Sequence, residues 1–147
     1  MNTMIKIAKE IAAVAHRGKV DKAGKPYIQH LEAVATKLKS ADEQTVAWLH
    51  DVLADTDYTQ KHLSVFFPPS IVEAVEALTK RRGEEYDAYL KRVSENPLAT
   101  KVKLADLEHN SDLTRYESPS PKDRTRVQTY VARREMLVGL AQSKGIF

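Results

Sequence analysis

Cysteine is absent from the 147 residues. Its absence excludes disulfide scaffolds, thiolate metal sites and cysteine nucleophiles, and it suits a reducing, cytoplasmic setting. Glycine and proline are few, five and six. Most fall between periodic segments, where they mark turns. No apolar run approaches the length of a membrane span. The opening Met1-Asn2-Thr3-Met4-Ile5-Lys6 lacks the charged-then-apolar layout of a signal peptide, so no membrane partner is expected. Charge of one sign is also lacking. Lys and Arg number 23 against 20 Asp and Glu, for a net charge of +3. Acidic residues interrupt the basic ones almost everywhere, so there is no polybasic tail. This balance suits a small polyanion in a cleft better than a nucleic-acid duplex.

What is present is helical periodicity. Ile5, Ala8, Ile11 or Ala12, and Ala15 make one apolar stripe that ends near His16-Arg17-Gly18. Residues 17–26 read as a loop, and 27–38 resume a helix with Ile28, Leu31, Val34, Ala35 and Leu38 on one side. Ser40 or Asp42 can cap the next helix, which carries Val46, Ala47, Leu49 and Leu53. Thr59 opens a short helix, Pro68-Pro69-Ser70 another, and Tyr86 to Val93 is amphipathic. Asn96-Pro97 pairs an N-cap with proline at the first helical position. Ser120-Pro121 opens a long final helix. No alternating strand pattern or repeat appears. The expected fold is all-α, one domain over 1–147 of about seven or eight helices.

The most informative run is His50-Asp51-Val52-Leu53-Ala54-Asp55-Thr56. It sets an imidazole and a carboxylate inside an apolar helix, with a second carboxylate one turn on. Such groups are costly to bury unless something satisfies them. His30, Asp106 and Asn110, far off in sequence, are further candidate ligands or contacts, and a divalent metal would satisfy the set at once. Asp106 and Asn110 are four apart and so share a helix face, as do Asp51 and Asp55.

Several motifs occur in one order. They are Ala15-His16-Arg17-Gly18, Gly24-Lys25-Pro26-Tyr27-Ile28-Gln29-His30, Leu49-His50-Asp51 with Asp55-Thr56, Ala77-Leu78-Thr79-Lys80, and Val102-Lys103-Leu104-Ala105-Asp106-Leu107 with Asn110. This ordered set resembles the HD-domain phosphohydrolases. More narrowly, it is similar to the hydrolase domain of the RelA/SpoT alarmone enzymes and to the stand-alone small alarmone hydrolases. The resemblance implies a single HD-type helical bundle. It also implies a manganese-dependent enzyme that removes pyrophosphate from the 3′ position of ppGpp or pppGpp, the stringent-response nucleotides. The implied metal ligands are His30, His50, Asp51 and Asp106.

Two imidazoles and two carboxylates suit Mn²⁺, Fe²⁺ or Zn²⁺, and the resemblance points to Mn²⁺. Such an ion lowers the pKa of a bound water and polarises phosphorus. Asp55 matches the Asp of a Glu-Asp pair that positions or deprotonates the attacking water in the family. Ala54 stands where the family has Glu. Asp55 then acts alone, another acid such as Glu108 substitutes, or turnover is weak. Asp55 could instead cap a turn before Thr56.

Lys22 matches a family basic residue, and with Lys19 it offers cations for a polyphosphate. Lys103 is placed to reach a phosphate. Asn110 could bind a ribose hydroxyl or phosphate, or cap its helix. Arg126 and Tyr130 align loosely with family nucleotide contacts, although Arg126 could also belong to an exposed basic face with Arg124, Arg133 and Arg134. Related hydrolases often carry Arg just before the Lys22 position. Asp21 here could accept from base-edge N–H groups, which keeps an adenosine alarmone open. Tyr27 and Trp48 read as core.

The expected partner is therefore a purine nucleotide polyphosphate. Two other readings stand beside this one. One is an HD phosphohydrolase of another nucleotide, releasing orthophosphate. The other is an alarmone-binding module without turnover.

Overall fold

A computed structural model describes residues 2–147. Among them are nine α-helices and one 3₁₀ turn, with no strand. The helices are α1 (Thr3–Ala15), α2 (Tyr27–Thr36), α3 (Ala41–Leu49), α4 (Val52–Asp55), α5 (Gln60–Phe66), α6 (Pro69–Ala77), α7 (Tyr86–Val93), α8 (Pro97–Asn110) and α9 (Pro121–Ser143). The 3₁₀ turn is Leu113–Arg115. The all-α class expected from periodicity is the one observed. No described helix is long and apolar enough to cross a membrane.

Local chemistry sets the helix starts. Orphan amides in a first turn need acceptors, and short polar side chains supply them. Asn2 takes the amides of Met4 and Ile5. Ser40 takes that of Glu43, and Asn96 that of Ala99 ahead of Pro97. At α9, Ser120 and Asp123 form a reciprocal capping box.

The core is organised around α3. Thr45, Val46, Ala47, Trp48 and Leu49 are all buried, because α1, α2, α6 and α8 all pack against this helix. Burying a Leu such as Leu49 contributes about 1.5–3 kcal/mol. This packing fixes the C-terminal end of α3 in the middle of the molecule.

The expected helix through Leu53 is interrupted there. It stops at Leu49, Asp51 leaves helical geometry at φ −106 and ψ 1, and α4 is a single turn. The His50 Nδ1 lies 2.6 Å from the carbonyl of Ala47. That carbonyl is the acceptor a continuous helix would offer to the amide of residue 51. A side-chain bond of this kind competes with the helix ladder. The break turns both His50 and Asp51 inward.

Residues 17–26 form a tight hairpin-like loop. The Tyr27 amide donates to the Lys19 carbonyl at 2.8 Å, and the Asp21 amide to the Lys25 carbonyl at 2.8 Å. The Asp21 Oδ1 takes the amides of Ala23 and Lys25 at 2.9 and 3.0 Å. Gly24 sits at φ +81, a left-handed conformation that favours glycine.

Candidate metal centre

Three buried side chains from three places in the fold meet at one point. They are His30 from α2, His50 at the end of α3 and Asp106 from α8, with one ligand atom of each within 4.8 Å of the others. The Asp106 Oδ1 lies 2.9 Å from His30 Nε2 and 3.3 Å from His50 Nε2. Asp51 adds a fourth group, its Oδ2 lying 3.2 Å from His50 Nε2.

This donor set fits a cation. The Nδ1 of His50 is directed at the Ala47 carbonyl, so it carries a proton. A neutral His50 would then point the lone pair of Nε2 at two carboxylates. Either a proton on Nε2 or a metal ion must sit between them. Burial opposes charge on His50, but Asp51 and Asp106 outweigh it and hold the imidazole well above its ordinary pKa. Burial likewise opposes ionisation of Asp106, and Lys103, His30 and His50 overcome it and hold the carboxyl well below the usual range. Asp51, opposed by burial and favoured chiefly by His50, is pushed down to about 2. The pocket is built for positive charge, and His30, His50 and Asp106 could bind a metal ion.

A second layer fixes these ligands. The Nδ1 of His30 lies 2.7 Å from Nδ1 of His109. Burial, then Arg115, holds His109 down to about 4, so it is neutral near pH 7 and can accept at Nδ1. His30 then donates from Nδ1 and presents a bare Nε2 to the centre. An outer partner commonly sets a ligand's tautomer in this way. The Tyr27 hydroxyl donates to Asp51 Oδ2, so its ring is more than core. Lys103 Nζ lies 3.0 Å from Asp106 Oδ2. Asn110 donates to Asp106 Oδ1 at 3.3 Å and accepts from Arg115 at 3.4 Å. Arg115 in turn pairs with Asp21.

A cavity of about 490 Å³ opens over the centre. His30, Asp51 and Asp106 form its floor, and Lys22, Asn110 and Tyr130 also line it. Other residues named from the sequence lie differently. Lys19 donates to the Asp55 carbonyl at 2.8 Å, so its ammonium steadies the turn after the His-Asp pair. Arg126 is held by Asp123 at 2.9 Å and does not line this cavity. Asp55 is exposed, one turn from Asp51, and its amide donates to the Asp51 carbonyl at 3.0 Å. Burial and Asp51 raise its pKa.

Glu108 is exposed and reaches Lys37 at 3.5 Å, facing away from the centre. His16 is buried against Tyr27, with neither ring nitrogen partnered among the described residues. Both Asp21 oxygens are engaged within the protein, and the residue also lines the cavity.

Similarity to known proteins follows the same residues. The chain is 33% identical over 115 residues to the guanosine-3′,5′-bis(diphosphate) 3′-pyrophosphohydrolase of Haemophilus influenzae, covering 68% of this chain and 17% of that protein. It is 31% identical over 115 residues to the bifunctional (p)ppGpp synthase/hydrolase SpoT of Escherichia coli, covering 68% and 16%. The chain belongs to the SpoT family of HD-type domains. A probable GTP pyrophosphokinase of Mycobacterium leprae is 29% identical over 98% of the chain and 19% of its own length. The chain thus spans less than a fifth of these curated relatives. A solved structure of a metazoan SpoT ortholog that hydrolyses ppGpp matches it with a TM-score of 0.71 at 21% identity, covering 100% of this chain and 98% of that one. That likeness establishes the SpoT-type helical fold. No family model matches the chain.

Proposed function

We propose that residues 1–147 act as one HD-type domain that hydrolyses a purine nucleotide alarmone in the cytoplasm. The substrate is ppGpp, pppGpp or an adenosine counterpart, and pyrophosphate leaves from its 3′ position. The observation that carries this reading is the convergence of His30, His50 and Asp106, with Asp51 beside them, under a nucleotide-sized cavity. His30, His50, Asp51 and Asp106 would hold the metal; the mixed nitrogen and oxygen donors suit Mn²⁺, Fe²⁺ or Zn²⁺, and the family resemblance favours Mn²⁺. When bound, the ion supplies Lewis-acid activation of water and of the phosphoryl group.

The remaining chemistry falls to the chain's own residues. Asp55, exposed one turn from Asp51 and outside the cavity lining, is the chain's candidate to orient the attacking water and take its proton, and its raised pKa moves it toward that task. Lys103 keeps Asp106 ionised and, since it also lines the cavity, has donors left for a phosphate. Lys22 at the cavity rim binds the diphosphate. Asn110 orients Asp106 and presents its remaining edge to the nucleotide. Tyr130 lines the same cavity. Asp21 also lines the cavity, with Oδ2 already taken once by Arg115, and its spare acceptor capacity is available to a base edge.

A second reading rests on Ala54. It is exposed beside Asp55 and supplies no carboxylate, so a domain that binds the alarmone without turnover is the competitor. The test is a panel of purine 3′,5′-polyphosphates incubated with the Mn²⁺-loaded protein and resolved by chromatography. Pyrophosphate and the matching nucleoside 5′-polyphosphate are the expected products. Orthophosphate would point to another HD phosphohydrolase. Stoichiometric binding without product in a single-turnover assay would favour the binding module.

A further inference from the structure

The lining of the cavity includes an arginine with no acidic partner among the described residues. Arg133 on α9 lies with its guanidinium carbon 3.5 Å from the centre of the Tyr86 ring on α7. Both residues line the cavity whose floor holds His30, Asp51 and Asp106. We propose that Arg133, laid on Tyr86, holds the anionic group at the end of the nucleotide remote from the metal ligands. This rests on the reading that the cavity takes a nucleotide phosphorylated at both ends.

Elimination among the nearby cations leads to Arg133. Lys103 also approaches Tyr86, at 5.8 Å, but its bond to Asp106 places its ammonium at the metal-ligand end of the cavity. Arg126 lies two turns earlier on α9 and is paired with Asp123. Arg115 is paired with Asp21, and Arg92 with Glu84. Arg133 has no carboxylate partner among the described residues, and it is half-buried in the lining of a polar cavity.

The geometry also suits a phosphate. An aromatic face holds a guanidinium by its flat side. The planar N–H edges remain available, and they match two phosphate oxygens at once. Contacts of 3.5, 5.8 and 3.0 Å link Arg133 through Tyr86 and Lys103 to the ligand carboxylate of Asp106. That spacing lets one nucleotide touch the metal ligands with its 3′ end and Arg133 with its 5′ end.

The test compares the Mn²⁺-loaded wild type with Arg133→Met and Arg133→Lys on two substrates. One is a guanosine 3′-diphosphate carrying 5′ phosphates, and the other is the same molecule without them. Loss of a charge-assisted contact should raise KM for the 5′-phosphorylated substrate by about 10- to 100-fold in Arg133→Met. The substrate lacking 5′ phosphates should be unaffected. Mn²⁺ binding and kcat should hold, and Arg133→Lys should recover part of the loss. Tyr86→Phe should behave as wild type, and Tyr86→Ala should weaken the same 5′ contact.

An equal KM change on both substrates, or none on either, would overturn the proposal. Calorimetry with guanosine 3′,5′-bisphosphate, compared with the 3′-monophosphate, keeps the two claims apart. A protein that turns over nothing yet shows the Arg133-dependent 5′ preference sinks the hydrolase reading and supports this inference. Turnover with no such preference does the reverse.

Discussion

His30 and His109 meet nitrogen to nitrogen at 2.7 Å, although 79 residues separate them. The contact makes one imidazole the orienting partner of the other, because His109 is held neutral and can accept there in its Nε2–H tautomer. Removing it with His109→Ala should leave the fold intact and lower Mn²⁺ affinity by about 10- to 100-fold. His109→Gln, which keeps an acceptor, should lose less. Metal titration by calorimetry reads both values. Wild-type affinity in His109→Ala would show that His30 needs no orienting partner.

Asp55 and Ala54 separate metal binding from turnover. Both are exposed at the end of α4, so substitutions there leave the core untouched. Asp55→Asn should lower kcat by about 10²- to 10⁴-fold with Mn²⁺ binding unchanged. Ala54→Glu adds a carboxylate beside Asp55 and should raise kcat. Steady-state pyrophosphate release measures both effects. Activity in Ala54→Glu from an inert wild type would make the natural chain a binding module.

Glu84 governs part of the acid limb of stability through its pair with Arg92. Its carboxylate takes two bonds from Arg92 and one from the Arg81 amide, each at 2.9–3.0 Å. Arg92 also reaches the carbonyls of Ala77 and Thr79 at the end of α6. The Arg92 bonds, then the Arg81 amide, push Glu84 down to about 2. A depressed carboxyl pKa stabilises the fold above the unfolded value of about 4.3, and the contribution is lost as pH falls through the folded value. The urea midpoints of wild type and Glu84→Gln should therefore differ most above pH ~5 and converge between pH ~4.3 and ~2. A pH-independent gap would mean the pair contributes nothing through ionisation.

Much of the fold was legible because its signals are local. Asn96-Pro97 and Ser120-Pro121 mark helix starts with chemistry that acts within one turn. The break at His50 was not legible. Apolar residues flank it on both sides, and its cause is a side-chain bond to Ala47. In the site, the spacing of Asp106 from Asn110 and of Asp51 from Asp55 could be read directly. The meeting of His30 with Asp106 came only by resemblance.

The outer layer escaped because its pairs are distant in sequence. Tyr27 with Asp51 and Arg115 with Asp21 span 24 and 94 residues. His109 did carry a signal, since it stands three residues after Asp106 on one helix face. So did Arg126, whose Asp123 partner is three residues before it.

Direct measurement of Mn²⁺ stoichiometry tests the metal centre itself. Titrating purified protein into Mn²⁺ while following the electron-spin signal of the free aqua ion should show one ion taken up per chain. His50→Gln and Asp106→Asn should each abolish that uptake while the helical circular-dichroism spectrum persists. A wild-type protein that leaves the free-ion signal unchanged, or variants that bind as well as wild type, would contradict a cation held by His30, His50, Asp51 and Asp106.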